Sequence, residues 1–223
     1  LIILNSPANP TGGVVPYSEL KKLAEGLLNF PNVYILSDEI YSRILFDENK
    51  HLSLKSFPEI SERVIVLDGW SKTFAMTGWR LGYGIFPNNI FDYAEKLASN
   101  CHSCVNLATQ YAGIEALLGD QSYVTKMVQE FLERRNFLVE KLNLVKDIKC
   151  VKPGGAFYVF PKIFKDGLTS KEISNILLEE KFLATVPGSS FGKNGEGFIR
   201  ISYASNLANL KKSVTLLEEF ISE

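Results

Sequence analysis

The sequence predicts an α/β protein in which a mostly parallel sheet with helices on both faces is followed by a smaller α+β domain. Over residues 1–118, short apolar runs typical of buried strands alternate with segments of helical periodicity. Most of these runs end in polar loops containing Gly, Pro, Asn or Asp. After that point a long amphipathic segment leads into several short strands. Alternating strands and helices favour a parallel sheet, whereas the later pattern is typical of an α+β unit.

Composition and charge narrow the function classes. The chain has 223 residues, of which 46% are hydrophobic and 22% charged, and this profile is typical of a soluble globular protein. Its 24 basic and 25 acidic side chains nearly cancel, so charge gives no support for nucleic-acid or anionic-membrane binding. No apolar run reaches the roughly 20 residues that cross a bilayer. Three cysteines favour a reducing cytoplasm over a disulfide scaffold.

The first domain is predicted over residues 1–118. Ser18 is expected to cap a helix over 18–28, and residues 89–118 have a helical pattern. Residues 1–4 have the pattern of a strand buried on both faces. A chain that begins in such a strand is expected to be an N-terminally truncated piece of a longer protein. The four strands of this domain are predicted at 1–4, 33–36, 64–67 and 81–86.

The second domain is predicted over residues 119–223, entered through a long helix at 123–144. Val124, Val128, Phe131, Leu138 and Leu142 are expected to face inward on this helix. We expect Arg134 and Arg135 on its solvated or inter-domain side. The pattern then predicts an apolar strand with a glycine turn before it at 154–160, and further strands at 182–186 and 198–202. It also predicts a helix opened by a capping box at 169–172 and a closing helix from 207 to 221.

The stretch DGWSKTFAMTGWRLGYG, residues 68–84, contains the first group of candidate site residues. Ser71 and Lys72 follow the apolar run 64–67, and Arg80 stands between Gly78 and Gly82. A lysine whose amine is neutral can attack a carbonyl carbon. An arginine next to glycines can approach a phosphate closely and bind it with two parallel hydrogen bonds. A nucleophilic lysine beside a phosphate site is what a pyridoxal-phosphate enzyme requires.

Polar residues of suitable types also follow two other predicted strands. Asn9 lies in the turn-rich loop after the first strand, while Asp38 and Tyr41 follow the second. Ligands of open α/β sheets bind outside the carboxyl ends of the strands. We therefore expect Asn9, Asp38 and Tyr41 to lie near the same edge of the sheet as Lys72. A loop asparagine that bonds only its own backbone is the alternative for Asn9.

Two other features admit both functional and structural explanations. Arg200 stands inside an apolar strand, where it is either an edge-strand residue with its head in solvent or a clamp for a substrate carboxylate. Cys101, His102 and Cys104 could suggest a metal or redox site. No second Cys/His pair completes a zinc site, so we predict no metal and interpret this stretch as a helix end or turn.

In order and spacing, these motifs make the whole chain resemble the class I and II aminotransferases, which are fold-type I pyridoxal-phosphate enzymes and include the aspartate aminotransferases. The motifs are NSPANPTG at 5–12, SDEIY at 37–41, SKTFAMTGWRLGYG at 71–84, GGAFYVF at 154–160 and FIRISYA at 198–204. The resemblance implies that residues 1–118 are the C-terminal part of the large cofactor-binding domain. It also implies transfer of an amino group between an α-amino acid and an α-keto acid, and a homodimer.

The resemblance assigns roles to the residues at the strand ends. Lys72 is implied to attach pyridoxal 5′-phosphate as a Schiff base and to carry the proton released from the substrate Cα. Asp38 is implied to pair with the pyridine nitrogen, which keeps the ring an electron sink. Tyr41 and Asn9 are implied to hydrogen-bond the cofactor's phenolic oxygen. Lys72, Asp38 and Tyr41 would thus form the catalytic group.

The remaining implied roles concern the phosphate and the substrate. Ser71 and Arg80 are implied to bind the cofactor phosphate. Arg200 is implied to clamp the substrate α-carboxylate, with Asn9 also contacting the substrate, and positioning of this kind can supply several kcal/mol of barrier reduction.

Two departures from the family pattern affect these expectations. Gly69 stands where many members have a serine or threonine that binds the phosphate, so that contact is missing or replaced. The family's N-terminal part, with its glycine-containing phosphate loop and the ring stacked on the cofactor, precedes the residues of this chain. The chain alone is therefore expected to bind cofactor weakly and to turn over poorly. A related pyridoxal-phosphate β-lyase or decarboxylase, and an inactive or effector module, are the alternative functions.

Overall fold

The chain divides into two compact units in a computed structural model that describes all residues 1–223. The first unit comprises Leu1–Pro7 and Val14–Lys126, and the second comprises Ala8–Gly13 and Met127–Glu223. The loop Ala8–Gly13 therefore belongs to the second unit, although it lies between the first strand and the first helix in sequence. No helix combines the length and the apolar character needed to cross a membrane.

A four-stranded sheet organises the first unit. Its strands lie in sequence order, the first three parallel and the fourth antiparallel to its neighbour, which confirms the mostly parallel sheet. The second and third strands each end two residues later than predicted, because backbone pairing continues into polar residues. They are β1 (Ile2–Asn5), β2 (Ile35–Asp38), β3 (Val64–Gly69) and β4 (Gly82–Ile85).

The core of the first unit lies between this sheet and its N-terminal helices. Buried residues of β2 and β3 pack with Leu20, Ala24 and Leu27 of the first helix. The expectation that residues 1–4 are buried on both faces is wrong, because β1 is an edge strand here and Leu1 and Ile3 are about 70% exposed. Tyr83 and Ile85 of β4 are exposed as well.

Five helices lie entirely within the first unit. The predicted cap Ser18 is wrong: the first helix begins at Tyr17 after Pro16, whose extended conformation ends the preceding loop and leaves Ser18 inside the helix. The predicted helical segment 89–118 is two helices, because Ser103 adopts a left-handed conformation and Asn106 caps a new helix. The helices are α1 (Tyr17–Leu27), α2 (Pro58–Ser61), α3 (Trp70–Thr73), α4 (Asn88–His102) and α5 (Leu107–Leu118).

Three helices supply the buried faces of the second unit. α6 (Ser122–Leu142) begins in the first unit and ends in the second; Val124, Phe131, Leu138 and Leu142 are buried as predicted. α7 (Ser170–Glu179) is opened by the predicted capping box of Thr169 and Glu172, and α8 (Leu207–Ser222) closes the chain. Buried apolar residues recur at helical spacing on both.

The strands of the second unit are short. β6, β9 and β8 form a three-stranded antiparallel sheet with β9 in the centre, and β5 pairs with β7. These strands are β5 (Ile148–Lys149), β6 (Tyr158–Val159), β7 (Lys162–Ile163), β8 (Val186–Pro187) and β9 (Ile199–Ser202). The predicted glycine turn is present at Gly154 and Gly155, but the strand after it is shorter than predicted, since Ala156 has a positive φ.

Candidate active site

Asp38 ends β2 at the carboxyl edge of the sheet. In the parallel register it lies beside Asn5, the last residue of β1, and beside Leu67 of β3, a strand that continues to Gly69. The Asn5 side chain donates to the Asp38 backbone carbonyl at 2.9 Å, and the Ile40 amide donates to the Asp38 carboxylate at 3.3 Å. Burial raises the pKa of the Asp38 carboxyl, the Ile40 amide opposes this rise, and the charge of Glu39 adds to it. A cationic partner would stabilise this carboxylate.

Tyr41 lies in the turn that follows β2, and its ring is buried at 3% exposure. Backbone hydrogen bonds from Ser42 to Glu39 and from Ile44 to Tyr41 hold the turn together. The side chain of Ser42 donates to Asp68 at 3.2 Å, which ties this turn to the end of β3. The turn after β2 and the end of β3 are therefore one hydrogen-bonded group within the first unit.

Ser71 and Lys72 lie in α3, the single helical turn that follows β3, and both are half-buried. Trp70 fixes this turn on two sides, because its amide donates to Leu81 at 3.2 Å and its indole to Gly113 at 3.0 Å. Lys72 thus follows directly from a strand end that is held by β4 and α5. This is the place at which the sequence predicted the nucleophilic lysine.

Gly69 allows β3 and β4 to approach closely just before Lys72. A Cβ at this position would lie 2.8 Å from the Cα of Gly82 and 2.8 Å from the carbonyl oxygen of Leu81. Real Cβ contacts do not reach such distances without a shift of the backbone. A serine or threonine in place of Gly69 would therefore clash with Gly82 and Leu81 in this chain.

Arg80 adopts a left-handed conformation at the end of a short 3₁₀ turn, Thr77–Trp79. Such backbone is uncommon for a residue other than glycine and often occurs at functional sites. Its guanidinium is exposed and donates to the Thr77 carbonyl at 2.8 Å. An open cavity of about 1060 Å³ borders Arg80, but its lining includes neither Lys72 nor Asp38, so it is not the pocket of the whole residue set.

Asn9 and Arg200 of the second unit are joined by a hydrogen bond. The Arg200 Nη1 donates to the Asn9 Oδ1 at 2.8 Å. The guanidinium lies 4.6 Å from the ring centre of Tyr158 and 5.2 Å from that of Phe191. Its Nε is buried and has no hydrogen-bond partner. Since β9 is the central strand of its sheet, the edge-strand explanation of Arg200 is wrong.

A cluster of carboxylates next to Asp38 escaped the sequence analysis. Glu39 is buried, with His51 Nε2 at 2.7 Å, Ser53 at 2.6 Å and Ser37 at 2.9 Å from its carboxylate oxygens. Burial opposes ionisation of Glu39, but these hydrogen bonds outweigh it and lower the pKa of Glu39. Asp68 accepts from the Gly69 amide at 2.6 Å, yet burial raises the pKa of Asp68. Only the position of Asp68 at a strand end could have indicated this cluster from sequence.

The structure thus groups the predicted residues by unit. Asp38, Tyr41, Ser71, Lys72 and Arg80 follow the ends of β2 and β3 in the first unit, whereas Asn9 and Arg200 are joined in the second. An amine, a desolvated carboxylate and a guanidinium can hold a ligand that combines a carbonyl, a basic nitrogen and a phosphate.

The Cys101–Cys104 stretch is the end of α4 and the turn after it, as predicted. Cys101 and Cys104 are exposed and form no disulfide, and Cys150 is buried. The structure contains no group of three or more His, Cys, Asp or Glu side chains arranged to hold a metal ion.

Comparisons with known proteins agree with the geometry. Residues 1–217 match the family model described as aminotransferase class I and II. The chain is 41% identical to an aspartate aminotransferase of Pyrococcus abyssi over 100% of its own length and 57% of the relative's. It is 38% identical to aromatic-amino-acid aminotransferase 2 of Thermococcus litoralis, with the same two shares covered.

A solved structure shows the same similarity in three dimensions. The crystal structure of an aromatic aminotransferase from Pyrococcus horikoshii superposes with a TM-score of 0.93 at 40% identity, covering 99% of this chain and 59% of that one. The chain therefore spans somewhat more than half the length of the relatives that it matches.

Proposed function

Because this chain belongs to the aminotransferase class I and II family, we propose that the protein transfers amino groups with the help of pyridoxal 5′-phosphate. The amino group moves between an α-amino acid and an α-keto acid. Arg200 is the observation that carries the proposal. Its guanidinium is oriented by Asn9, is stacked by Tyr158 and Phe191, and has a buried Nε without a partner. A buried donor of this kind is costly unless a ligand pairs with it, and a carboxylate is the natural partner of a guanidinium.

The residues of the first unit fit the cofactor that members of this family use. Burial disfavours the charged form of the Asp38 carboxyl. A protonated pyridine nitrogen beside it would stabilise that charge. Arg80 has an exposed guanidinium suited to a phosphate, and Lys72 has an amine at the end of β3. The donor set therefore matches the ring nitrogen, the phosphate and the aldehyde of pyridoxal 5′-phosphate.

Each residue has a distinct task in the proposed reaction. When bound, the cofactor supplies an electron-withdrawing ring that stabilises negative charge at the substrate Cα. Lys72 Nζ holds the cofactor covalently and, once released, moves the proton from the substrate Cα. Asp38 keeps the proton on the pyridine nitrogen. Arg200 holds the substrate carboxylate, so that the Cα–H bond is presented to Lys72.

The remaining assignments concern the oxygen atoms of the cofactor. Tyr41 and Asn9 donate hydrogen bonds to its phenolic oxygen, which favours the anionic form. Ser71 and Arg80 donate to the phosphate. Asn9 also contacts the substrate, since its side chain already meets Arg200.

The proposal extends to substrates, assembly and location. The relatives bear names of enzymes for aspartate and for aromatic amino acids, which supports amino and keto acids as substrates. Those names favour amino-group transfer over a β-lyase, a decarboxylase or an inactive module. A homodimer in the cytoplasm completes the proposal, supported by the resemblance and by the cysteine usage.

Replacement of Lys72 tests the function directly. In the full-length protein, Lys72→Ala is expected to abolish amino-group transfer, since no other residue is assigned to hold the cofactor and move the Cα proton. Borohydride reduction followed by peptide mass spectrometry should place the cofactor on Lys72 in the unaltered protein and on no residue in the variant. Lys171→Ala, an exposed lysine of α7, is the matched control.

Two outcomes would contradict the assignment. One is retained amino-group transfer by Lys72→Ala, and the other is attachment of the cofactor to a different lysine. Product analysis separates the alternative reactions, because transamination yields a keto acid without release of ammonia, whereas a β-lyase yields ammonia and pyruvate.

A further inference from the structure

Arg135 is fully buried on α6, contrary to the expectation that it lies on a solvated or inter-domain side. It comes four residues after Phe131 and three before Leu138, so helical spacing places it on the same buried face. Its Nη1 donates to the Pro153 carbonyl at 2.9 Å, and its Nε and Nη2 donate to the Asn136 Oδ1 at 3.1 and 2.9 Å. A buried guanidinium is retained only where its hydrogen bonds are made.

The Pro153 carbonyl belongs to the glycine turn that precedes β6. Immediately after Pro153, the amides of Gly154 and Gly155 both donate to the Gly12 carbonyl at 2.9 Å. Arg135 and Gly12 thus both hold this turn by hydrogen bonds. We call residues 153–155 the anchoring turn.

The anchoring turn fits tightly against the loop Ala8–Gly13. Gly12 has a φ of +65°, and a Cβ there would lie 2.3 Å from the Cβ of Pro153 and 2.7 Å from the carbonyl oxygen of Gly155. Gly12 also donates to the Ala8 carbonyl at 2.7 Å, which closes the loop around Asn9. No side chain can be accommodated at Gly12 without displacing the turn or the loop.

The loop in turn orients Arg200, because the Asn9 Oδ1 accepts from its Nη1 at 2.8 Å. A chain of direct contacts within the second unit therefore leads from Arg135 through the anchoring turn and the Asn9 loop to Arg200. All of these residues belong to the second unit.

We propose that Arg135 is a positioning residue, which sets the orientation of the carboxylate-binding guanidinium of Arg200 by holding the anchoring turn and, through it, the Asn9 loop. This inference rests on the proposed function of Arg200. Arg135 touches no substrate itself in this proposal. Its loss would shift the Arg200 guanidinium and so weaken substrate binding. A displacement of about 1 Å at a binding group can cost up to about a hundredfold in rate.

Binding of 2-oxoglutarate to the cofactor-free, full-length protein, measured by calorimetry, tests the proposal without catalysis. Arg135→Met should raise the Kd roughly tenfold, since the turn loses its anchor. Arg135→Lys should give a smaller rise, because an ammonium keeps the charge without the planar fork that reaches both acceptors. In an Arg200→Met background, Arg135→Met should change the Kd less than about twofold, because residues that act through one another are not additive.

Arg63→Met is the control for loss of a structural arginine. Arg63 is half-buried and donates to the Leu27, Phe30 and Val33 carbonyls within the first unit. It should lower the melting temperature and leave the Kd unchanged. If Arg135→Met lowers the melting temperature equally but leaves the Kd at the unaltered value, Arg135 is merely structural and the proposal is overturned.

Two further variants keep the test decisive if Arg135→Met does not fold. Asn136→Ala removes an exposed acceptor that orients Arg135. Gly12→Ala introduces a Cβ that clashes with Pro153 of the anchoring turn. A raised Kd in both supports the proposal, and an unchanged Kd in both overturns it. If Arg200→Met itself leaves the Kd unchanged, the proposed function of Arg200 fails first, which separates the two conclusions.

Discussion

Replacing Arg200 with methionine removes the guanidinium but keeps an unbranched side chain between Tyr158 and Phe191. In the structure this guanidinium has one donor engaged with Asn9 at 2.8 Å and one buried donor, Nε, without a partner. We assign the unpaired donor and the remaining guanidinium nitrogen to the two oxygens of a substrate carboxylate. The substitution therefore removes up to two charge-assisted hydrogen bonds to the substrate.

The size of the effect follows from those two bonds. A hydrogen bond to a charged group contributes about 1.5–3 kcal/mol, so two contribute at least about 3 kcal/mol. At about 1.4 kcal/mol per factor of ten, the affinity for a carboxylate substrate should fall by at least about a hundredfold. Arg200→Lys should recover part of this loss, since a lysine keeps the charge but offers a point donor instead of a fork.

Calorimetric titration of the cofactor-free, full-length protein with 2-oxoglutarate measures the loss directly. Arg134→Met is the control, because Arg134 is an arginine of α6 that pairs with Glu130 and packs near Phe131. Its removal should leave the affinity unchanged. A Kd for Arg200→Met within threefold of the unaltered protein would refute the reasoning.

Two further predictions concern the environment of the site and a buried thiol. Gly69→Ala places a Cβ 2.8 Å from the Cα of Gly82, so β3 and β4 must separate, at a cost of about 1–3 kcal/mol. The melting temperature of Gly69→Ala should be lower by several degrees in thermal unfolding. Gly78→Ala is the control and should change it little, because a Cβ at Gly78 meets nothing within 4 Å. Equal melting temperatures for the two variants would contradict the steric argument. Burial raises the pKa of the Cys150 thiol from 9.0 to about 12, so its thiolate fraction at neutral pH is about a thousandfold lower. Iodoacetamide followed by mass spectrometry should label the two exposed cysteines in the folded protein and Cys150 only after denaturation, and rapid labelling of Cys150 under native conditions would count against its burial.

The sheet of the first unit was predictable because its signals are local. Each strand is a short apolar run followed by turn-forming residues, and such runs need only their own sequence to be recognised. The exposure of β1 was not predictable, because burial of a strand depends on which elements pair with it. The start of α1 was also missed, because Pro16 and Ser18 can each precede a helix. The extended backbone conformation of Pro16 shows that α1 begins at the next residue.

Some features of the candidate site could likewise be predicted from the sequence, and others could not. Lys72, Asp38 and Arg80 could be proposed from sequence because residue type and position after a strand indicate their chemistry. The Glu39–His51 pair and the Asp68–Ser42 contact join residues 12 and 26 positions apart, and no periodicity indicates such contacts. Asn9 and Arg200 are 191 positions apart, so their hydrogen bond appears only in the folded chain.

The alternating α/β pattern, the order of the motifs and the residue types that suggest the chemistry could be recognised without a fold. These properties depend on neighbours along the chain. The folded chain was needed to show that Arg135 is buried, that Arg200 lies on a central strand with an unpaired Nε, and that Gly12 fits where no side chain can. Those properties depend on close packing between segments distant in sequence, where a few tenths of an ångström separate a permitted contact from a forbidden one.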